Sequence, residues 1–174
     1  MDPNLSQEKK NMFKYCPNCA APASKFIDGK KFLCEECGFQ IYHNTAAAVA
    51  VLLEWEDQYV LLKRGREPGR GMMDLPGGFV DPDESAEDAC RREIREELGI
   101  EIKDLHYLAS HHNTYPYKGI TYKTCDLFFR AKCCTADFVR QESEIEEISL
   151  IDKGQLPVED FAFESIKTLL KKIV

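Results

Sequence analysis

Gly78-Phe79-Val80-Asp81-Pro82-Asp83-Glu84-Ser85-Ala86-Glu87-Asp88-Ala89-Cys90-Arg91-Arg92-Glu93-Ile94-Arg95-Glu96-Glu97-Leu98-Gly99-Ile100 is the stretch on which the reading of this chain turns. Ala86, Cys90, Ile94 and Leu98 recur every four residues and make one apolar stripe at helical spacing. Ser85-Ala86-Glu87-Asp88 fits a capping box, in which the serine oxygen takes a backbone N–H that has no partner inside the helix. Gly99 is suited to the left-handed conformation that closes a helix. The pattern predicts a helix over residues 85–98.

Glu93, Glu96 and Glu97 stand at i, i+3 and i+4, on one face of that helix. Like charges at this spacing destabilise an isolated helix by about 0.2–0.5 kcal/mol per pair, so stability alone does not select them. Three clustered carboxylates do make an oxygen cradle for a hard cation such as Mg2+. A solvated helix surface is the competing reading, because Glu87 with Arg91, Asp88 with Arg92 and Arg92 with Glu96 are also spaced to pair. The surroundings favour the cradle. Gly77-Gly78 lets backbone come close to a metal or phosphate, Glu84 sits at the loop–helix junction, and Arg92 is placed to hold a glutamate.

Gly78, five residues, Glu84, seven residues and then Arg92-Glu93-Ile94-Arg95-Glu96-Glu97-Leu98-Gly99-Ile100 resembles the Nudix box, and Leu75-Pro76-Gly77-Gly78 resembles its usual lead-in. The resemblance extends over residues 45–174 and implies the Nudix fold, a mixed sheet between helices. It implies that Glu93, Glu96 and Glu97 hold a catalytic Mg2+ or Mn2+, with the Gly78 carbonyl as a further ligand. Glu84, Arg92 and Gly99 would order the loop and helix. The reaction implied is hydrolysis of a diphosphate bond in a nucleoside diphosphate linked to a group X. Glu96 is expected to orient the attacking water. Glu144, in Ser143-Glu144-Ile145-Glu146-Glu147, is the candidate for a base contributed from beyond the box.

The N-terminal part carries a second motif. Of eight cysteines, Cys16 and Cys19 form one CxxC pair, and Cys34 and Cys37 form another after fourteen intervening residues. Two such knuckles at this separation can close four thiolates around Zn2+. Four thiolates leave no open position, so this zinc would be structural. A segment this short buries little core, and metal binding would supply folding free energy on the order of 10 kcal/mol. Expected organisation is a disordered N-terminus at 1–12, a zinc ribbon at 13–43 and a Nudix hydrolase domain at 45–174. Strands are expected at 46–53, 59–62, 105–109, 121–132 and 147–151, and a second helix at 158–173. Strands and helices do not alternate regularly, so the fold class is α+β or mixed α/β.

A zinc ribbon before a Nudix domain resembles the arrangement of NADH pyrophosphatases. Their signature Ser-Gln-Pro-Trp-Pro-Phe-Pro-x-Ser corresponds here to Ser110-His111-His112-Asn113-Thr114-Tyr115-Pro116-Tyr117-Lys118, which keeps the serine and an aromatic–proline pair. Pro116, sixteen residues beyond Ile100, resembles a cue for ADP-ribose hydrolases. Tyr115 and Tyr117 offer ring faces to a purine or serve as ordinary aromatics. Arg66, in the Gly-, Arg- and Pro-rich segment 64–71, is a further candidate substrate contact. Expected substrates are ADP-ribose, NADH or a related dinucleotide or nucleotide sugar. A nucleoside triphosphate pyrophosphohydrolase and a non-enzymatic nucleotide sensor are the alternatives.

A net charge of -7 repels a phosphate backbone, so no nucleic-acid partner is expected. The longest apolar run, residues 46–53, has eight residues, too few to span a membrane. The first ten residues have no apolar core of a secretion signal. A cytoplasmic protein is expected, and the resemblance implies a homodimer.

Overall fold

A computed structural model describes residues 13–22 and 25–173 of the chain. The segment expected to be disordered, 1–12, lies outside the described residues. The chain forms two compact units, Met1–Asn44 and Thr45–Val174.

In the first unit β1 (Lys25–Ile27), β2 (Lys31–Leu33) and β3 (Gln40–Tyr42) pair antiparallel in the order β1-β2-β3. Asp28 and Gly29 both have positive φ, 51° and 67°, the geometry of a tight hairpin turn. Phe32, Cys16 and Cys34 are its buried apolar residues, with Phe13, Phe26 and Phe39 packed around them. So small a core needs support other than apolar burial.

The second unit is built on β4 (Ala46–Trp55), β5 (Gln58–Arg64), β6 (Met73–Asp74), β7 (Gly77–Phe79), β8 (Ile102–Tyr117), β9 (Ile120–Cys133) and β10 (Ile145–Asp152). Two helices, α1 (Ala86–Leu98) and α2 (Glu164–Ile173), complete it. The strand order is β10-β5-β4-β9-β8, with β6 on β5 and β7 on β4. β4 runs parallel to β9 and antiparallel to β5 and β7, so the sheet is mixed. Alternation along β4 assigns the two faces. Val49, Val51 and Leu53 pack with Ala89, Cys90, Ile94 and Leu98 of α1. Ala50 and Leu52 pack with Ile166, Leu169 and Leu170 of α2. The fold is the mixed sheet between helices that the sequence leads one to expect.

Two elements differ from expectation. β8 does not end near residue 109 but runs to Tyr117, each residue of 109–117 pairing with β9. β8 lies at the end of the strand order, where Pro116 removes no needed ladder donor. α2 starts at Glu164 rather than 158, because Val158–Asp160 forms a separate 3-10 turn and Phe161 is fully buried between the two. No described helix is long and apolar enough to cross a membrane.

Candidate active site

α1 begins as its sequence prescribes. Ser85 Oγ accepts from Asp88 N at 3.1 Å and donates to Asp88 Oδ2 at 2.6 Å. The helix ends at Gly99, whose N–H donates to the Arg95 carbonyl at 3.0 Å with φ 68°. With its apolar stripe fixed against β4, the helix presents Glu93, Glu96 and Glu97 together to one cavity of about 300 Å³.

The lead-in packs against these acids at close range. Gly77 N–H donates to Glu97 Oε2 at 2.9 Å. A Cβ on Gly77 would fall 2.1 Å from the Val49 carbonyl oxygen, and one on Gly78 would fall 2.3 Å from Glu93 Oε1. At Gly77 only glycine allows the backbone so near β4, and at Gly78 a side chain would displace the Glu93 carboxylate. Arg92 organises the rest. Its guanidinium donates to both oxygens of Glu84, at 2.9 and 3.0 Å, to Glu93 Oε1 at 2.8 Å, to Glu96 Oε2 at 3.2 Å and to the Phe79 carbonyl at 2.9 Å.

Burial pushes the Glu97 carboxyl well above its ordinary range, and the charges of Glu93, Asp74 and Glu144 add to the rise over what the Gly77 N–H offsets. Glu93 is raised too, chiefly by burial, with Arg92 opposing and Glu96 and Glu144 reinforcing. Glu84 goes the other way, because its hydrogen bonds to Arg92 favour the charged form. Two crowded, desolvated carboxyls that resist ionisation beside an exposed third make a donor set suited to a hard divalent cation.

The same cavity is lined by Arg66, Glu144 and Tyr115. Arg66 Nη2 and Glu144 Oε2 are 2.5 Å apart, and Gly65 N–H donates to the Glu144 carbonyl at 2.7 Å, which fixes the segment before β10. Tyr115 packs edge-on to Phe79 at 5.5 Å and lies 5.6 Å from Phe163. Pro116 is exposed and does not line the cavity, since the next residue of a strand points to the opposite face. Tyr117 is exposed and off the cavity as well. His111 lies 3.5 Å from Lys172 Nζ, and burial followed by that lysine lowers its pKa.

Several cavity residues have no signature in the sequence. Asn113, Thr124, Asp126 and Phe163 come from β8, β9 and the approach to α2. Cross-strand register joins them, Asn113 opposite Thr124 and Ala48 beside Asp126. The one visible hint is the alanine-rich start of β4, of which Ala48 and Ala50 line the cavity and leave it room.

In the first unit the sulfurs of Cys16, Cys19, Cys34 and Cys37 all lie within 4.8 Å of one another. Cys16 and Cys37 are 3.8 Å apart, and Cys19 and Cys34 are 3.7 Å apart. A zinc–sulfur tetrahedron with bonds of about 2.3 Å has edges of about 3.8 Å, so the set fits Zn2+. Hydrogen bonds from the Asn18 side chain and the Phe39 backbone lower the Cys37 thiol to about 6. Cys19 goes up to about 12, because contacts with Cys37, Cys16 and Cys34 and partial desolvation outweigh the Ala21 backbone bond. Thiols this close cannot all ionise until a cation joins them.

Residues 43–171 match the NUDIX domain family. The chain belongs to the Nudix hydrolase family. The solved Nudix hydrolase of Nitrosomonas europaea superposes with a TM-score of 0.71 at 28% identity, covering 91% of this chain and 89% of that one. The MutT Nudix hydrolase of Burkholderia pseudomallei shares the fold, with a TM-score of 0.65 at 22% identity, 75% of this chain and 99% of that one. NAD-capped RNA hydrolase NudC of Pseudomonas fluorescens is 29% identical over 144 residues, 83% of this chain and 50% of the relative. NudC of Deinococcus radiodurans is 28% identical over 160 residues, 90% of this chain and 55% of the relative. The Nudix chain thus spans about half the length of these NudC relatives.

Proposed function

We propose that this Nudix hydrolase cleaves, with Mg2+ or Mn2+, the diphosphate bond of a nucleoside diphosphate linked to a second group, with ADP-ribose, NADH and related dinucleotides as its substrates. The observation that carries the reading is the convergence of Glu93, Glu96 and Glu97 with the backbone of Gly77 and Gly78 in one cavity that is also lined by Phe79, Tyr115 and Phe163. NudC relatives named for hydrolysing a dinucleotide cap support a substrate with two nucleotide halves.

In this reading Glu93, Glu96, Glu97 and the Gly78 carbonyl hold the cation. Bound there, the cation would neutralise the diphosphate, polarise a phosphoryl oxygen and lower the pKa of water. Arg92 keeps Glu93 and Glu84 oriented through its forked hydrogen bonds. Glu96, 52% exposed at its side chain, is the acid most open to water and is assigned to orient the nucleophile. Glu144 is the second candidate base, steadied by Arg66. Arg66 offers its remaining N–H groups to the anionic substrate. Tyr115 and Phe163 take the planar ring. The four cysteines of the first unit hold a structural Zn2+.

The test is an assay of ADP-ribose, NADH, 5′-NAD-capped RNA and a set of nucleoside triphosphates, each with Mg2+, with Mn2+ and with chelator. Metal-dependent release of a nucleoside monophosphate from the diphosphates supports the proposal. Turnover of triphosphates alone would make the chain a triphosphate pyrophosphohydrolase.

A further inference from the structure

Asp126 is an acid that the metal chemistry does not use. It lies in the middle of β9, is 8% exposed, and lines the cavity. Thr124 Oγ1 donates to its Oδ1 at 2.6 Å, and Ser165 Oγ donates to its Oδ2 at 2.6 Å. Thr124 and Ser165 are themselves 2% and 1% exposed. Among the described residues no lysine or arginine forms an ion pair with Asp126. Arg64, the cation of this wall, is paired with Asp74 and stacked 4.9 Å from the Phe163 ring. His111, its cross-strand neighbour, is the other titratable group facing it from β8.

Burying a carboxylate with no cation is unfavourable on general grounds. A purely structural account would have Asp126 pin α2 to the sheet through Ser165. That task does not need a charge, because an asparagine of the same shape can also bridge two hydroxyls. A carboxylate oxygen accepts two hydrogen bonds, so each oxygen here keeps one acceptor position after taking its hydroxyl. The two hydroxyls also fix the carboxylate rotamer. The result is an oriented, acceptor-only group at the edge of an open space.

The space is set by register. β4 runs beside β9 with Ala46 at Thr124, Ala48 at Asp126 and Ala50 at Phe128. Of these alanines Ala48 and Ala50 line the cavity, so two methyl groups stand where larger side chains would fill the volume. The rings of Phe79, Tyr115 and Phe163 line the same cavity. Flat faces beside one oriented acceptor are complementary to a flat ring that carries a hydrogen-bond donor at its edge.

We propose that Asp126 is the specificity-determining residue of the cavity, accepting from an N–H donor on a planar ring of the substrate, the exocyclic amine of adenine or the carboxamide of nicotinamide. This rests on the nucleotide reading of the cavity. Thr124 and Ser165 are its positioning residues.

The test compares paired substrates that differ only at that donor. With Mg2+ in excess, kcat/KM is measured for ADP-ribose against its hypoxanthine counterpart, and for NAD against its nicotinic-acid counterpart. The parent protein, Asp126→Ala, Asp126→Asn and Ser165→Ala are each assayed, with thermal melts in parallel. The parent favours the amino-bearing member of one pair by about tenfold or more, and the pair that shows it identifies the ring. Asp126→Ala brings that ratio towards one, mainly through KM. Asp126→Asn, which presents a donor of its own, shifts preference towards the carbonyl-bearing ring. Ser165→Ala lowers the melting temperature and keeps a ratio above one. A ratio that is the same in parent and Asp126→Ala, whatever the melts do, overturns the proposal. Should no diphosphate be hydrolysed, the proposed activity fails, and the same ratio is read by calorimetry without metal, from AMP against IMP and nicotinamide mononucleotide against nicotinic acid mononucleotide. Equal affinities within both pairs, or no binding of any of the four, then overturn the role of Asp126.

Discussion

Gly77 N–H and Glu97 Oε2 meet at 2.9 Å although twenty residues separate them in the chain, and this bond joins β7 to the last turn of α1. Glu97 is 7% exposed, so the bond forms where water does not compete. One N–H does not offset the burial of a negative charge, and the carboxyl is held well above its usual range. The acid is in place for a cation at the expense of the metal-free protein.

That expense is measurable. A carboxyl whose folded-state pKa lies above its unfolded value binds its proton more tightly when folded. Its stabilising contribution is therefore complete below the ordinary value of 4.5 and declines as pH rises through the folded value. Glu97→Gln removes the ionisation and keeps an oxygen for Gly77 N–H. In chelator, the variant is expected to melt above the parent at pH 8, with the gap closing towards pH 4.5. Its metal-dependent hydrolysis is expected to fall by more than about 100-fold, since even residues behind metal ligands commonly cost 10–100-fold. Melts from pH 4 to 8 with and without Mg2+ check both halves.

Arg92 reaches Glu84, Glu93 and Glu96 at once. Lysine keeps the charge but not the planar fork. Arg92→Lys is expected to weaken activation by metal about 10–100-fold, seen as a rise in the Mg2+ concentration for half-maximal rate. Glu84→Gln should do the same, and the double variant should be little worse than either single one, because both changes break one network. Full additivity would mean that the two residues act separately.

The paired glycines are predicted to fail differently. At Gly77 a methyl group would meet the backbone of Val49, and φ is 149°, so Gly77→Ala must displace β7 from β4. A loss of about 3 kcal/mol or more in denaturant titration is expected. At Gly78 the methyl group would meet the end of the Glu93 side chain, which can swing aside. Gly78→Ala should therefore fold with a smaller penalty and lose metal-dependent activity. Equal destabilisation by the two would contradict this assignment of the clashes.

α1 was legible from the chain alone because every instruction for it is local: Ser85 starts it, the four-residue spacing orients it and Gly99 stops it. β8 beyond Ala109 was not, because Ser110-His111-His112-Asn113-Thr114 has the composition of a loop and becomes a strand only by pairing with β9. α2 starts later than the apolar pattern from Val158 onward suggests, because Pro157 and the burial of Phe161 divert the chain into a turn first. The acids of the box were legible for the same local reason as α1. Asp126 was not, because a single aspartate in an alternating strand looks like an outward-facing residue until Ala48 is seen beside it.

In the proposed reading the four cysteines, by holding zinc, supply what the small core of the first unit lacks. Removing zinc is expected to abolish the ordered β1–β3 hairpins while β4–β10, which belong to the other compact unit, persist. Hydrogen exchange on the intact chain, before and after a strong chelator, should show protection lost at Phe32 and Cys34 and retained at Val51 and Leu61. Cys37→Ser should reproduce the loss. Unchanged protection at Phe32 would show that the ribbon folds without metal.

Arg66 and Glu144 form an ion pair at the rim of the cavity, and this pairing bears on which of them acts on the substrate. If Glu144 moves the proton of the nucleophile, Glu144→Gln lowers kcat by about 100-fold or more at nearly constant KM. Arg66→Ala then costs less, because it only frees the carboxylate it had been steadying, and the double variant is no slower than Glu144→Gln. If instead Arg66 binds the anionic substrate directly, Arg66→Ala raises KM and its effect adds to that of Glu144→Gln. With Glu96 assigned to the nucleophile and the remaining N–H groups of Arg66 turned to the substrate, the second pattern is expected; the nearness of Glu144 to Glu93 and Glu97, whose carboxyls it pushes upward, is what would produce the first. Steady-state kinetics of the two single variants and the double variant, at saturating metal, decide between them.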